Sequence, residues 1–270
     1  MVDIGDANGV MEIAADVVLE LLQKRRNQPE VRIGFGGGRS MLLLTKKLNH
    51  LIGQQMKDLP RTIICYNLVA GFDARDPKTN PISFFSEMVG LKPCKTEVEC
   101  RIFQTPPMVP IGERDQMLKA LQNQEILEAE PKFDIIVTSC GGIDDKHQLL
   151  GRFYNDNQIS ALSRLGCIGD MLWLPICADG PLRYEDLAED IRNLLKYRTM
   201  SLIELDDLST SIAEKKTDVV LAAAPCGKCN ADKSDVISTI LSLSRPIVTH
   251  AVIDIASAIR IDGLSEKRFH

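Results

Sequence analysis

Apolar residues recur along the chain with two different spacings. An apolar residue every three or four positions, which predicts an amphipathic helix, occurs in residues 11–26, 40–55, 115–130, 184–196 and 233–243. Short continuous apolar runs, typical of strands buried on both faces, occupy residues 31–35, 61–70, 133–138, 200–204, 218–224 and 247–253. Because strands and helices alternate, the sequence predicts an α/β fold with a mostly parallel, Rossmann-like sheet covered by helices on both faces.

One stretch departs from this alternation. Residues 71–112 contain the turn-forming pairs Asp76-Pro77, Asn80-Pro81 and Pro106-Pro107, and only one short helix, at residues 82–89, fits among them. A chain of 270 residues is long enough to bury a substantial core. We therefore interpret residues 1–270 as one domain that carries a less regular insertion.

A glycine loop, Gly34-Phe35-Gly36-Gly37-Gly38-Arg39-Ser40, joins the first predicted strand to a helix. Glycines before a helix N-terminus let backbone N–H groups approach a ligand closely, which favours an anion and above all a phosphate. Arg39 adds a planar set of donors and Ser40 a hydroxyl. The dinucleotide fingerprint needs glycine at position 39, and the P-loop needs Gly-Lys-Ser/Thr, so neither nucleotide pattern is met. A tight turn whose glycines serve only packing is the alternative.

Composition and charge exclude several classes of function. The chain is 44% hydrophobic and 26% charged, as ordinary globular proteins are. A net charge of −5 argues against a surface that binds nucleic acid directly. No apolar run approaches the roughly 18 residues of a membrane span, and no secretory pattern opens the chain, so we expect a cytoplasmic protein without membrane contact. The eight cysteines are then expected to be reduced thiols.

The order of several motifs resembles the sugar-binding effector domain of SorC- and DeoR-type bacterial transcriptional regulators. The glycine loop is similar to their G-x-G-W-G-R-T, with Gly37 in place of tryptophan, and Ser139-Cys140-Gly141 is similar to their G-I-G. Residues 166–170 with Asp179-Gly180 are similar to the family's G-A-V-G-D with D-x-x-G. Residues 224–237 are similar to A-G-G-x-x-K-x-x-A-I with stretched spacing, and residues 253–258 to T-D-x-x-T-A.

The resemblance implies a fold similar to ribose-5-phosphate isomerase and glucosamine-6-phosphate deaminase, with a sugar phosphate over the carboxyl ends of the strands. The implied ligand-binding residues are Gly36, Gly37, Gly38, Arg39, Ser40, Gly141, Gly142, Asp179, Lys233 and Asp254. Lys233 would contact a phosphate or carboxylate, and Asp254 would accept from sugar hydroxyls. The alternative for this pair is an exposed lysine at a helix start and a helix-capping aspartate.

We therefore expect a carbohydrate-binding effector domain, a ligand sensor rather than an enzyme, that self-associates and uses no cofactor, metal or catalytic residue. Residues 1–30 predict a single helix, too little for a helix-turn-helix, so we expect any contact with DNA to be made by a partner chain. The alternative is a sugar-phosphate isomerase or deaminase on the same fold. Its base would come from Asp144, Asp145, His147, Asp170 or Asp179, among which the sequence does not choose.

A Cys-x-x-Cys motif, Cys226-Gly227-Lys228-Cys229, lies at a predicted strand-to-helix turn. Such a motif can be a redox pair or half of a zinc site. The sequence contains no second Cys-x-x-Cys and no paired histidines, and only His250 and Cys140, at other strand ends, could converge on the motif. Loop cysteines without a metal are therefore the default interpretation.

Overall fold

A computed structural model of the chain describes residues 7–54, 58–70, 80–86, 88, 96–123, 132–145, 150–226 and 229–268. The helices in these ranges are α1 (Ala7–Lys24), α2 (Arg39–Gln54), α3 (Pro81–Phe85), α4 (Arg114–Asn123), α5 (Leu150–Phe153), α6 (Asp156–Arg164), α7 (Glu189–Leu195), α8 (Leu205–Ala213), α9 (Ser234–Ser242) and α10 (Ile255–Arg268). The strands are β1 (Glu30–Phe35), β2 (Thr62–Asn67), β3 (Glu97–Arg101), β4 (Met108–Pro110), β5 (Ile135–Thr138), β6 (Cys140–Gly142), β7 (Cys167–Met171), β8 (Leu174–Cys177), β9 (Gly180–Pro181), β10 (Tyr197–Thr199), β11 (Asp218–Ala223) and β12 (His250–Ile253). Within the described ranges, no helix combines the length and apolarity needed to cross a bilayer.

Six strands form the main sheet, in the order β12-β11-β5-β1-β2-β3, and every neighbouring pair is parallel. Phe35 at the end of β1 lies opposite Asn67 of β2 on one side and Val137 of β5 on the other. The three strands therefore end at the same edge of the sheet. This arrangement confirms the predicted parallel sheet.

Helices cover both faces of this sheet. Along β11, Val219 and Leu221 pack in a core that includes apolar residues of α4, α8 and α9, whereas Val220 and Ala222 pack in a core formed with α1, α2 and α3. All four side chains are fully buried. A strand buried on both faces has no polar alternation, which is why β11 reads as a continuous apolar run. The predicted α/β class is confirmed.

A second, antiparallel sheet has four strands in the order β6-β7-β8-β9, and its first strand follows β5 in the chain. β6 begins two residues after β5 and pairs with β7, where Gly141 lies opposite Asp170. β7 and β8 form a hairpin whose loop consists of Leu172 and Trp173. This hairpin brings β7 and its turn to the carboxyl edge of the main sheet.

Several elements differ from their predictions. The strand predicted at residues 200–204 lies three residues earlier, as β10, because its antiparallel partner is β4; Ser201 keeps only an isolated bridge to Val69. The helix predicted at 184–196 is divided into a 3₁₀ turn, Tyr184–Asp186, and α7, since Leu187 between them is extended. Both β3 and β4 lie inside the segment predicted to be irregular, where β3 is a partly exposed edge strand with polar residues. Predicted parts of helices at 87, 89 and 124–130 lie outside the described residues.

Truncation of Leu22 tests whether α1 belongs to the folded core. Leu22 is fully buried against the sheet, so we expect Leu22→Ala to lower the free energy of unfolding by about 2–5 kcal/mol. Ile13, on the same helix, is 44% exposed, and Ile13→Ala should change it by about 0.5 kcal/mol or less. Urea unfolding curves measure both. Equal midpoints for the two variants would contradict this packing of α1.

Candidate functional site

A cavity of about 290 Å³ lies at the carboxyl edge of the main sheet, where the loops after β1 and β5 diverge. The chain leaves β1 toward β2 on one side, while β11 pairs with β5 on the other. Ligands of open α/β sheets bind in the crevice that such a reversal of strand order creates. The described residues that line the cavity come from both loops, from the β6–β7 sheet and from the start of α9.

The glycine loop forms one wall of this cavity. The Gly36 N–H donates to the Val137 carbonyl at 2.8 Å, which holds the loop against β5. Gly38 has a φ of +97°, a conformation that favours glycine, and α2 begins at the next residue. Arg39 and Ser40, in the first turn of α2, line the cavity. The N-terminus of a 16-residue helix, with its unpaired N–H groups and positive dipole end, therefore lies at the cavity.

Trp173 also lines the cavity, and its ring packs directly against Gly37 of the glycine loop. A Cβ atom built on Gly37 would lie 2.5 Å from Cζ2 of the indole, so only glycine leaves room for the ring. Leu172 and Trp173 have φ values of +56° and +63°, which cost non-glycine residues about 1–3 kcal/mol each. The Trp173 side chain also packs against Phe153, with 5.6 Å between ring centroids. The indole is therefore held rigidly, and strained backbone of this kind is concentrated at functional sites.

Asp170 of β7 is a buried carboxylate in the cavity wall, with only 5% of its surface exposed. Burial raises its pKa to about 7, although the charge of Lys233 and a hydrogen bond from the Trp173 backbone act in the opposite direction. Its Oδ2 has no hydrogen-bond partner in the described part of the chain. Asp170 is therefore a group that changes its charge near neutral pH inside the cavity.

Lys233, immediately before α9, also lines the cavity and is 9% exposed. Among the described residues, nothing forms an ion pair within 4 Å or a hydrogen bond with its ammonium group. Its charge lowers the pKa of Asp170 and of the buried Cys140 thiol, although burial has the larger effect and raises the Cys140 pKa to about 12. A buried ammonium without a paired anion is unfavourable, so this residue is suited to an anionic ligand.

The structure brings together six of the ten residues that the sequence singled out. The cavity is lined by Gly37, Gly38, Arg39, Ser40, Gly141 and Lys233. Gly36 lies buried beneath the loop, and Gly142 packs close to the Asp232 backbone; neither lines the cavity. Asp179 borders a different cleft, beside Gly180.

Asp254 caps α10 and does not line the cavity. Its Oδ1 accepts from the Ser257 N–H at 3.0 Å and its Oδ2 from the Ser257 hydroxyl at 2.6 Å. Both carboxylate oxygens are thus occupied within the chain, which is the helix-capping alternative considered for this residue.

The sequence did not single out Trp173, Asp170 or Arg152 as ligand-binding, although all three line the cavity. Asp170 was one of five acid or base candidates without a distinguishing signal. Trp173 is the only tryptophan of the chain and lies inside an apolar run, residues 171–176, and nothing else in the sequence distinguished it. Asp170 and Trp173 reach the cavity through the pairing of β6 with β7, which is a long-range contact.

The Cys-x-x-Cys motif lies at the rim of the same cavity. Cys226 and Asp145 line it, and the Cys229 thiol donates to Asp145 Oδ1 at 3.5 Å. A hydrogen bond from the Ala231 backbone acts to lower the pKa of Cys229, but desolvation and the neighbouring Cys226 and Asp145 raise it overall. These three residues are the group in the described part of the chain that could hold a metal ion.

Among the solved structures with the same fold are three transcriptional regulators. A regulator from Streptococcus pneumoniae TIGR4 is 18% identical with a TM-score of 0.67, and the match covers 96% of this chain and 86% of that one. A DeoR family regulator from Listeria monocytogenes is 16% identical with a TM-score of 0.63, covering 94% and 87%. The full-length sorbitol operon regulator SorC from Klebsiella pneumoniae is 15% identical with a TM-score of 0.63, covering 94% and 71%.

At these identities the similarity shows the fold, and it confirms at that level the resemblance found in the motifs. No known protein family matches the chain by sequence, and no curated protein sequence is significantly similar to it.

Replacement of Asp170 by asparagine tests its protonation. Because its folded pKa of about 7 lies above the ordinary 3.8, the folded state binds more protons than the unfolded state between these values, and stability falls as the pH rises through that window. The amide of Asp170→Asn cannot titrate, so its free energy of unfolding should fall less than that of the wild type between about pH 4 and 7.

Asp144→Asn, at an exposed neighbouring carboxylate, is the matched control and should follow the wild type. Urea unfolding at several pH values measures the slopes. The same slope for Asp170→Asn and wild type would show that Asp170 titrates normally.

Proposed function

We propose that this chain is a ligand-sensing domain that binds a phosphorylated sugar in the cavity between the ends of β1 and β5. The proposal rests on three residues of the cavity wall that carry buried polar atoms without a hydrogen-bond partner in the described part of the chain. The buried Ser139 Oγ, Asp170 Oδ2 and Trp173 Nε1 have no hydrogen-bond partner among the described residues, and all three residues line this cavity together with Lys233. Buried polar atoms are nearly always paired, so three unpaired atoms in residues that line one cavity support a polar ligand there.

Charge favours a phosphate as one end of this ligand. The described lining contains three cationic side chains, Arg39, Arg152 and Lys233, against the carboxylates of Asp145 and Asp170. Since the Asp170 pKa is about 7, part of that negative charge is neutralised at physiological pH. The N-terminus of α2 adds N–H donors and a positive dipole end to the same wall. Together these groups make the cavity suitable for an anion.

The remaining groups suit a sugar as the other end. A sugar has apolar C–H faces and hydroxyl edges, and the cavity offers an aromatic ring in Trp173 beside an acceptor or donor in Asp170 and a hydroxyl in Ser139. Asp170 can accept from a hydroxyl when ionised and donate when protonated. The pairing of an apolar ring with fixed polar groups is typical of sites that orient a small polar ligand.

As in the regulators that share the fold, we propose that ligand binding here serves regulation, with the chain self-associating and acting on DNA through a partner. The net charge of −5 supports an indirect role at DNA. Two apolar side chains one turn apart on α10, Ile255 at 48% and Ile259 at 67% exposure, supply a surface for association.

An isomerase or deaminase is the second candidate function, and Asp170 is the observation that favours it. A general base works best with a pKa near the working pH, and Asp170 has such a pKa inside the cavity. Incubation with aldose phosphates and detection of ketose phosphate or released ammonia tests this role. Turnover by the wild type that is lost in Asp170→Asn would establish an enzyme, whereas binding without turnover would establish a sensor.

A thermal-shift panel of sugar phosphates, each beside its unphosphorylated parent, tests the proposed ligand class. At about 100 times its Kd a ligand adds roughly 2.7 kcal/mol, which corresponds to a rise in Tm of about 5 °C or more. We expect such a rise for at least one phosphorylated compound and a smaller one for its parent. Lys233→Ala should abolish the rise, while Lys119→Ala, at an exposed position on α4, should retain it.

The Tm of each unliganded variant is the baseline for its own shift, because Lys233→Ala also removes a mostly buried side chain and the charge that favours ionised Asp170. Fluorescence gives an independent readout, since Trp173 is the only tryptophan and lines the cavity. A sugar phosphate that binds should change its emission, and the compounds that change it should be the ones that raise the Tm. No response to any phosphorylated compound by either method would refute the proposal.

A further inference from the structure

We propose that Asp145, Cys226 and Cys229 bind a zinc ion at the rim of the ligand cavity, with a fourth coordination position left open. One ligand atom from each of the three residues lies within 4.8 Å of the other two. The sequence offered the Cys-x-x-Cys pair, which by itself is half of a zinc site, with His250 and Cys140 as residues that could converge on it. The carboxylate of Asp145, more than 80 residues away in the chain, is the third ligand that the fold supplies.

The distance between the Cys229 sulfur and an Asp145 carboxylate oxygen matches tetrahedral zinc. With Zn–S near 2.3 Å and Zn–O near 2.1 Å, a tetrahedral site separates sulfur from oxygen by about 3.6 Å and the two sulfurs by about 3.8 Å. The Cys229 Sγ and the Asp145 Oδ1 are 3.5 Å apart. The Cys229 and Asp145 ligand atoms are therefore at the spacing that the metal requires, and a Cys226 ligand atom lies within 4.8 Å of both.

The backbone holds the three residues in place on two separate segments. The Cys226 N–H donates to the Ala231 carbonyl at 3.2 Å, and the Asn230 N–H donates to the Cys226 carbonyl at 2.8 Å. These bonds hold Cys226 and Asn230, the residue after Cys229, in place. On the other side, the Asp145 N–H donates to the Gly142 carbonyl at 3.0 Å, which forms a turn directly after β6. The three proposed ligands therefore lie on two segments: Asp145 follows β6, and Cys226 and Cys229 follow β11.

The ligand chemistry favours zinc over other common cations. Thiolates select zinc and other soft metals, whereas magnesium and calcium take oxygen ligands. Two thiolates, one carboxylate and an open position give the ligand number of a zinc site that accepts a further ligand. Asp145 and Cys226 also line the cavity, so that open position lies at its rim.

The other close cysteine pairs of the chain lack this feature. Cys65 hydrogen-bonds with Cys100, and Cys167 with Cys177, each within its own pair. In the described part of the chain, neither pair has a third metal-ligating atom within the same reach. Cys100→Ser therefore serves as the control for the loss of a thiol, and Asp144→Asn as the control for the loss of a carboxylate.

Zinc content after reloading tests the proposal. The full chain, kept reduced, is stripped with a chelator, incubated with Zn²⁺ and desalted, and its metal is measured by inductively coupled plasma mass spectrometry. We expect one zinc per chain in the wild type, Cys100→Ser and Asp144→Asn, and at least a tenfold lower retained content in Cys229→Ser and Asp145→Asn. Substitution with Co²⁺ should give thiolate-to-metal absorption in the wild type that Cys229→Ser lacks.

Wild-type protein without retained zinc and without the cobalt absorption would overturn the proposal, and so would equal zinc in Asp145→Asn and Asp144→Asn. Far-ultraviolet circular dichroism of each variant separates lost ligation from lost folding. The two proposals have separate readouts although Asp145 and Cys226 line the same cavity, because zinc content is measured without a sugar phosphate and uses neither the glycine loop nor Lys233. Zinc binding without any sugar phosphate response would therefore support the metal site alone.

Discussion

The parallel pairing of β1 with β5 is the contact on which the arrangement of the site depends. It continues beyond the strands through the hydrogen bond from the Gly36 N–H to the Val137 carbonyl, so the loops after both strands begin side by side. β2 lies beyond β1 on one side, and β11 lies beyond β5 on the other. The two loops therefore diverge, and a crevice stays open between them. The cavity walls that remain are supplied from later in the chain, by the β6–β7 sheet and the start of α9. One pairing thus gathers residues from position 37 to position 233.

The residues around this crevice stabilise the fold less than the closely packed residues elsewhere do. The hairpin turn at Leu172 and Trp173 adopts positive φ without a glycine, and a buried carboxylate and a buried ammonium lie near it. Elsewhere in the sheet, by contrast, the strands are apolar and buried on both faces. Local departures of this kind persist only where the surrounding structure enforces them, and they cluster at sites of function. A polar, anionic ligand would relieve the unpaired groups at once.

Local patterns in the sequence predicted the features that depend on local physics. The alternation of apolar runs and amphipathic periods predicted the parallel sheet, and the glycines before α2 predicted a turn that exposes a helix N-terminus. The edge strand β3 was missed because its partly exposed polar residues hide the strand pattern. Trp173 and Asp170 could not be assigned, because their place in the cavity follows from the register of β6 on β7. Asp145 likewise joins the Cys-x-x-Cys loop only through the fold.

The central claim is that the glycine loop and Lys233 hold the phosphate of a sugar phosphate inside this cavity. A crystal structure of the protein with a sugar phosphate tests it most directly. We expect phosphate oxygens within hydrogen-bonding distance of the backbone N–H groups at the start of α2 and of Lys233 Nζ, with the sugar against Trp173. A phosphate bound instead in the cleft whose lining includes Arg114, Arg183, Arg192 and Arg198 beside five carboxylates, with the cavity at β1 and β5 empty, would contradict it.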